Sequence, residues 1–329
     1  MNFQCKNCGG NMVFSPEKQR IYCPHCEGVD CEDQKGDDSL TNCPSCGGTL
    51  EVGDFTSATQ CPFCGNYIIL DKRVSDQYRP DKVIPFKLSK EDAVGVLEAE
   101  FKSRIFTPSS FLSEKTLVDM KGYYVPFFMY DYHVNSRYVC EGTKSRSWRE
   151  GNYDCTETSY YKLYRELRAD YDNIPVDASI AMPDETMDLL EPFDYEFLMD
   201  FDPRVLSGFF GETYNMSEEE LAERAEKKVA NSTGTILKES LSKYSLSSPE
   251  EDKLTMTRGK TELALLPVWK YNYMYGGRIY DFFVNGQSGK VIGKVPVSKK
   301  KVWVYGITCA GLWGIALDAI VGILGGLIF

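Results

Sequence analysis

Four pairs of closely spaced cysteines lie within the first 65 residues of the chain. Each pair has the form Cys-x-x-Cys, and the eight residues are Cys5, Cys8, Cys23, Cys26, Cys43, Cys46, Cys61 and Cys64. Two residues between thiols allow one tight turn to direct both sulfurs at a single ion, with zinc–sulfur distances of about 2.3 Å. Fourteen residues separate the first pair from the second, and fourteen separate the third from the fourth. This spacing predicts two sequential four-cysteine zinc ribbons, each holding one structural Zn²⁺ ion.

The two cysteine modules form an internal repeat with an offset of 38 residues. Gly9, Gly47 and Gly65 follow three of the four cysteine turns, where a positive φ is expected. An interleaved arrangement, which joins the first turn to the third, is an alternative that the equal gaps disfavour. Cys31 is out of register with the repeat and is interpreted as a spare thiol, with exchange for one of the zinc ligands as the alternative. A four-thiolate shell has no open position for substrate, so catalytic zinc is not expected.

Charge argues against nucleic acid as the partner of these ribbons. The chain has 37 basic and 48 acidic side chains, which gives a net charge of −11. Residues 1–72 hold five basic and ten acidic side chains, whereas phosphate binding requires a basic stripe. A structural or protein-contact role is therefore favoured. A nucleic-acid-binding regulator is the first alternative, and it would require a basic patch that forms only in three dimensions.

The sequence contains little that suggests catalysis. His25 and His133 are the two histidines of the chain, which disfavours histidine-based hydrolases and three-histidine zinc sites. The sequence lacks the phosphate-loop, nucleophile-elbow and dinucleotide fingerprints. An enzyme with a cleft on the aromatic sheet is the second alternative, with a perturbed carboxylate near His133 or the "EPFDYEF" segment as its acid–base group. No catalytic residue is predicted.

Alternating and helical patterns predict an α+β domain after the ribbons. Ser89 and Ser217 each precede an acidic residue at the third position, which predicts two capped helices, and Gly234 is expected to break or end the second. Aromatic alternation predicts antiparallel strands from Gly122 to Ile180 and again near the C-terminus. Residues 141–154 are interpreted as a polar hairpin loop. The predicted domains are ribbon 1 (1–36), ribbon 2 (37–72), a linker (73–81), the α+β domain (82–297) and a C-terminal segment (298–329).

The C-terminal segment has the composition of a membrane helix. Val302 to Phe329 contains one charged residue, Asp318, and three lysines precede it. A helix of that length spans about 42 Å, more than the hydrocarbon core of about 30 Å. The sequence therefore predicts a single-pass transmembrane anchor in the cell membrane, with a buried core helix, an interfacial segment and a re-entrant hairpin as alternatives. No signal peptide precedes Cys5, so the cysteines are expected to face a reducing cytoplasm.

Small residues form a stripe on the predicted anchor. The stripe comprises Gly311, Gly314, Asp318, Gly322 and Gly325, which recur at spacings of three and four residues. Such spacing places them on one helix face, where backbones can approach closely. The stripe is predicted to contact a protein partner or a second copy of the chain.

Several longer segments resemble a known protein family. They include "KGYYVPFFMYDY", "ETSYYKLYRELRADYDNIPVDAS" and "LLPVWKYNYMYGGRIYDFFVNGQSGKVIGKVPV". Together with the paired ribbons, they resemble the bacterial transcription-factor-IIB-type zinc-ribbon-containing membrane proteins. The resemblance implies that the eight paired cysteines are zinc ligands, and it implies neither promoter binding nor a catalytic residue. The expected function is that of a membrane-anchored, cytoplasm-facing, non-catalytic adaptor.

Overall fold

The computed structural model describes residues 1–34, 42–50, 52–75, 78–102, 104–112 and 119–326, without the side chains of residues 33, 34, 112 and 315–326. The strands are β1 (Asn2–Cys5), β2 (Val13–Ser15), β3 (Arg20–Tyr22), β4 (Cys31–Gln34), β5 (Thr56–Gln60), β6 (Tyr67–Ile69), β7 (Lys82–Val83), β8 (Lys121–Glu150), β9 (Tyr153–Asp177), β10 (Met199–Asp200), β11 (Phe210–Glu212), β12 (Ser245–Tyr275), β13 (Arg278–Asn285) and β14 (Val291–Gly293). The helices are α1 (Lys90–Lys102), α2 (Asp184–Leu190), α3 (Glu218–Leu241) and α4 (Lys299–Gly326).

A central sheet organises the fold. Its main path runs β10-β7-β12-β8-β11-β5-β6, with β9 paired to β8, β13 paired to β12 and β14 paired to β13. Most pairs are antiparallel, but β7 lies parallel to β12 and β11 lies parallel to β8. The predicted α+β fold with a central antiparallel sheet is therefore wrong, and the architecture is mixed α/β. The parallel pairs arise because two short strands are added beside long neighbours rather than through hairpin turns.

Strands β9, β8 and β12 extend beyond the rest of the sheet as a three-stranded arm, defined here as residues 133–170 with 245–257. Strand β8 alone has 30 residues, a path of roughly 100 Å. The predicted loop over residues 141–154 is wrong, because both strands continue to a turn at Gly151. Cross-strand hydroxyl pairs explain the difference: Ser145 meets Thr158 and Ser147 meets Thr156, each at 3.0 Å. These hydrogen bonds between side chains allow the polar ends of β8 and β9 to remain paired as strands.

Helix α3 covers one face of the arm. Its N-terminus has the predicted capping box, in which the Ser217 hydroxyl accepts from the Glu220 N–H. Leu221, Ala225 and Val229 are buried against the strands. The helix continues through Gly234 to Leu241, so the predicted break is wrong. Burial of the apolar face on both sides of this glycine offsets its intrinsic cost of about 1 kcal/mol.

Both ribbons are joined to the sheet domain. Phe3, Met12 and Phe14 of the first ribbon belong to the same buried cluster as Phe86 and Trp269 of the sheet region. The β5–β6 hairpin of the second ribbon pairs with β11 and so forms one end of the sheet. The cysteine modules are therefore attached to the fold by packing and by strand pairing rather than by linkers alone.

The prediction of a transmembrane anchor is wrong. Among the residues that the structure describes, no helix combines the length and the apolar character needed to cross a bilayer. The predicted single-pass location in the cell membrane is overturned by the same finding. The N-terminus of α4 is tied to the protein, because Lys301 Nζ donates to the Thr107 carbonyl at 2.7 Å.

Candidate metal centres

The eight paired cysteines converge in two groups of four. Cys5, Cys8, Cys23 and Cys26 form the first centre, and Cys43, Cys46, Cys61 and Cys64 form the second. Within each group the sulfurs all lie within 4.8 Å of one another. The arrangement is sequential, and the interleaved alternative is not found. Each group is able to hold one metal ion.

The sulfur separations fit a tetrahedral four-thiolate site. In the first centre Cys5 and Cys26, and likewise Cys8 and Cys23, have sulfurs 3.5 Å apart. The corresponding distances in the second centre are 3.7 Å. A tetrahedron with zinc–sulfur bonds of about 2.3 Å has sulfur–sulfur edges of about 3.8 Å. The donor set therefore fits Zn²⁺, which would add folding free energy and leave no open coordination position.

One backbone turn recurs at all four cysteine pairs. In the first turn, the Gly9 N–H donates to the Cys5 carbonyl at 2.8 Å and the Cys5 N–H donates to the Gly10 carbonyl at 2.9 Å. The turns that begin at Cys23, Cys43 and Cys61 repeat both bonds. The predicted positive φ at Gly9, Gly47 and Gly65 is confirmed, with values of 71°, 73° and 76°. These bonds hold the two sulfurs of each turn on one side.

The residue that follows the second Cys-x-x-Cys pair is Glu27 rather than glycine, yet its backbone is also in the left-handed region. Glu27 adopts a φ of 59° and its N–H donates to the Cys23 carbonyl at 2.9 Å. The repeated turn geometry therefore overrides the usual preference for glycine at a positive φ. Nothing in the local sequence indicates this conformation at Glu27.

The thiols within each centre influence one another's protonation. Burial tends to raise the pKa of Cys61, but the N–H groups of Cys64 and Phe63 outweigh it and lower the pKa to about 7. Burial and the neighbouring thiols Cys61 and Cys46 raise the pKa of Cys64 to about 12. In the first centre the pKa of Cys23 is likewise lowered, to about 6, and the pKa of Cys26 is raised, to about 12. Collecting four thiolates is therefore opposed by mutual repulsion, which a divalent cation would relieve.

The residues proposed as an acid–base site remain in separate local contacts. His133 Nδ1 lies 2.5 Å from Asp170 Oδ1 on an exposed part of the arm, and this hydrogen bond raises the pKa of His133. Glu191 pairs with Lys228 at 2.6 Å, while Asp194 accepts from the Glu196 N–H at 3.2 Å. In the described part of the chain, no hydrogen bond or ion pair joins His133 to these carboxylates. The arrangement gives no support to concerted acid–base chemistry.

A half-buried network of charges, which was not predicted from the sequence, lies between β9, α2 and α3. Arg224 donates to Asp177 at 2.9 Å and to Asp188 at 3.0 Å, and Asp177 is fully buried. Lys228 contacts Asp188 at 2.7 Å and Glu191 at 2.6 Å. Arg224 and Lys228 are four residues apart on one face of α3, which is the available sequence signal. The network fixes α2 against α3.

A cleft of about 520 Å³ separates the first ribbon from the sheet. Aromatic side chains form much of its wall, among them Tyr22, Tyr67, Phe210 and Trp269. Lys121 Nζ lies 5.1 Å from the ring centroid of Phe210. The lining residues include no histidine and no cysteine within the described part of the chain. The cleft therefore offers contact surface rather than an evident nucleophile.

A comparison with known proteins places the chain in a family. It is 34% identical over 339 aligned residues to the uncharacterized protein YdjG of Bacillus subtilis (strain 168), and the alignment covers 99% of each chain. No family model and no solved structure matches the sequence. The resemblance to transcription-factor-IIB-type membrane proteins is thus supported only as far as the two four-cysteine clusters, which fit zinc ribbons. The identity extends over the whole of both proteins, and the chain belongs to the same family as YdjG.

Proposed function

We propose that the protein is a non-catalytic adaptor that binds another protein through its three-stranded arm. The observation that carries the proposal is the exposure of large aromatic side chains along the arm. Tyr153, Tyr160 and Tyr164 are 76%, 80% and 58% exposed, and Trp148 is 42% exposed. Tyrosine and tryptophan anchor many protein interfaces, because a rigid ring gains much contact area at a low entropy cost.

The exposed aromatics occupy both faces of the arm beyond α3. Tyr160 is paired with Thr143 and Tyr164 with Val139, on the face opposite the helix. Trp148 is paired with Cys155 on the other face. A partner protein could therefore bind to either face of the arm or surround it. The central sheet and the α3 helix would hold the arm in a fixed direction.

The proposed role of the ribbons is structural. Each would hold one Zn²⁺ ion in a closed four-thiolate shell, and the first ribbon would stabilise the base of the sheet domain through Phe3, Met12 and Phe14. A closed shell has no position for substrate. This favours an adaptor over a zinc-dependent enzyme.

Charge pairing on the arm favours a protein over a nucleic acid as the partner. Lys162 pairs with Glu250 at 2.8 Å, and Arg137 pairs with Glu251 at 3.5 Å. Carboxylates thus neutralise basic groups that phosphate binding would need. The adaptor proposal accounts for aromatic exposure without requiring an unpaired basic stripe.

Site-specific photocrosslinking in the native host tests the proposal. A photoreactive phenylalanine analogue replaces Tyr160 in one variant and Met274 in a matched control, since Met274 is 71% exposed outside the arm. The adaptor proposal predicts one discrete protein adduct from position 160 and none of the same mass from position 274. The same adduct at both positions, or no protein adduct from position 160, would overturn it. A nucleic-acid adduct at position 160 would instead support the regulator.

A further inference from the structure

Cys31, the thiol outside the two metal centres, lies directly opposite a cysteine of the first centre. Strands β1 and β4 are antiparallel, and their register pairs Cys5 with Cys31. Directly opposed residues project from the same face of a two-stranded ladder. The Cys31 side chain is partly exposed, whereas Cys5 is only 3% exposed. A solvent-accessible thiol is therefore the cross-strand neighbour of a buried thiol of the cluster.

The hydrogen bonds show which type of cross-strand pair this is. The Lys6 N–H donates to the Asp30 carbonyl at 3.1 Å, so the adjacent pair is the hydrogen-bonded one. The Cys5 N–H points away from β4 and donates to the Gly10 carbonyl at 2.9 Å. Cys5 and Cys31 thus form a non-hydrogen-bonded pair, for which the Cα atoms are typically about 4.5 Å apart. Disulfides span Cα separations of about 4.4–6.8 Å, so the pair can be bridged with little backbone movement.

The second ribbon provides an internal comparison. The 38-residue repeat places Ile69 where the first ribbon has Cys31. Ile69 is 1% exposed and belongs to β6. The second centre therefore has no corresponding thiol, although its four ligands have the same turn geometry. The two centres should respond differently to oxidants.

We propose that Cys5 and Cys31 form an oxidation site that controls metal retention by the first ribbon; the inference rests on metal binding at that centre. A peroxide oxidises the partly exposed Cys31, as its thiolate, to a sulfenic acid and releases one hydroxide. The Cys5 thiolate then attacks the Cys31 sulfur, the S–S bond forms and a second hydroxide leaves. Two thiolates thereby give two electrons to one peroxide molecule.

The disulfide would remove one ligand from the first centre. Cys8, Cys23 and Cys26 would remain, and three thiolates no longer close a tetrahedral shell. The same ribbon contributes Phe3 and Phe14 to the main buried cluster. Oxidation would therefore loosen both the metal site and the packing of the ribbon on the sheet.

The test uses the full chain loaded with zinc and treated with hydrogen peroxide. Released zinc is followed with a chromogenic chelator, and disulfides are mapped by mass spectrometry of unreduced peptides. The wild-type protein should lose one of its two zinc equivalents and yield a Cys5–Cys31 peptide. Cys31→Ser should retain both equivalents under the same treatment. Cys155→Ser, which removes another partly exposed thiol on the arm, should behave as the wild-type protein does.

Several outcomes would overturn the proposal. They are equal zinc loss from Cys31→Ser and the wild-type protein, simultaneous loss of both equivalents, and a Cys5 disulfide with any other cysteine. Cys31→Val is a second variant in case the serine variant does not fold, and reduction of the oxidised wild-type protein should restore zinc uptake. Two equivalents before oxidation establish the metal centres independently, so failure of the switch is distinguishable from failure of the ribbon assignment.

Discussion

The Phe14 N–H donates to the Ser207 carbonyl at 2.7 Å and thereby joins the first ribbon to the segment before β11. The Ser207 hydroxyl returns a hydrogen bond to the Met12 carbonyl at 2.5 Å. Both contacts span more than 190 residues of sequence, and Met12 and Phe14 are buried. The first ribbon is therefore part of the main core. Damage to its metal centre should spread beyond the ribbon.

Loss of one ligand should affect the two centres unequally. Cys8→Ser and Cys46→Ser are a matched pair, because both cysteines are exposed second members of their turns. Each variant should bind one zinc equivalent rather than two. Cys8→Ser should lower the melting temperature of the whole chain more, since the second centre is surrounded by a separate small cluster that includes Leu50 and Leu70. Metal analysis and thermal melting measure both effects.

Two results would contradict this prediction. One is an equal fall in melting temperature for the two variants, which would show that the two ribbons contribute equally to the stability of the whole chain. The other is a visible absorption spectrum typical of an iron–sulfur cluster in the purified protein, which would replace zinc as the metal.

Truncation of Phe86 should strongly destabilise the sheet domain. Its ring stacks on Phe209 with centroids 4.2 Å apart and also contacts Tyr124 and Trp269. Phe86→Ala should lower the free energy of unfolding by about 3–5 kcal/mol, because it removes buried contacts and leaves a cavity. Phe63→Ala is the control, since Phe63 is 70% exposed. Urea denaturation should show a shift below about 0.5 kcal/mol for that control, and comparable losses in the two variants would refute the assignment of Phe86 to the core.

The Asp177 carboxyl should make stability depend on pH. Burial raises its pKa to about 6, although Arg224 opposes the rise. Because the unfolded value lies near 3.9, the folded state holds this proton more tightly. The contribution of Asp177 is therefore most favourable below about pH 4 and is lost as the pH rises through about 6.

Asp177→Asn should remove this dependence. The difference in unfolding free energy between variant and wild type should change by up to about 3 kcal/mol from pH 4 to pH 6.5. Asp154→Asn is the control, because the Asp154 side chain is 92% exposed. Parallel stability curves for wild type and Asp177→Asn would show that the buried carboxyl does not titrate in this range.

The full chain should not bind duplex DNA appreciably at physiological salt. Its net charge is −11, and three basic groups of the arm pair with Glu250, Glu251 and Asp154. Binding driven by counterion release requires several unpaired basic groups on one face. A gel shift with micromolar affinity and a steep salt dependence would instead support the nucleic-acid-binding regulator.

The small-residue stripe on α4 remains a prediction. Among the described residues, and apart from the neighbouring backbone of α4 itself, no atom lies within 4 Å of an added Cβ at Gly311 or Gly314. The side chain of Asp318 and the surroundings of Gly322 and Gly325 lie outside what the structure describes. If the stripe contacts a second copy, a cysteine at position 311 or 314 should crosslink more readily than one at position 312 or 313. Cys309→Ser provides the background for the scan. Uniform crosslinking around the helix would argue against a specific face.

Local features of this protein follow from its sequence alone. The Cys-x-x-Cys spacing and the equal fourteen-residue gaps predict the composition of both metal centres, because a turn and a short hairpin suffice to bring four thiols together. The capping box at Ser217 is likewise set within four residues. Alternating aromatics predict the inner part of β8, since burial on a sheet has period two.

Tertiary structure alone decided the features that depend on distant partners. Cys31 becomes important only because β4 pairs with β1. Asp177 gains its ion-pair partner only because the fold brings Arg224, 47 residues further along the chain, beside it. The arm extends through polar sequence because hydroxyl pairs on adjacent strands satisfy each other. The apolar C-terminal run suggested a membrane span, yet no helix among the described residues is long and apolar enough to cross a bilayer. Composition reports the solvent preference of a segment, whereas pairing and packing determine which residues meet.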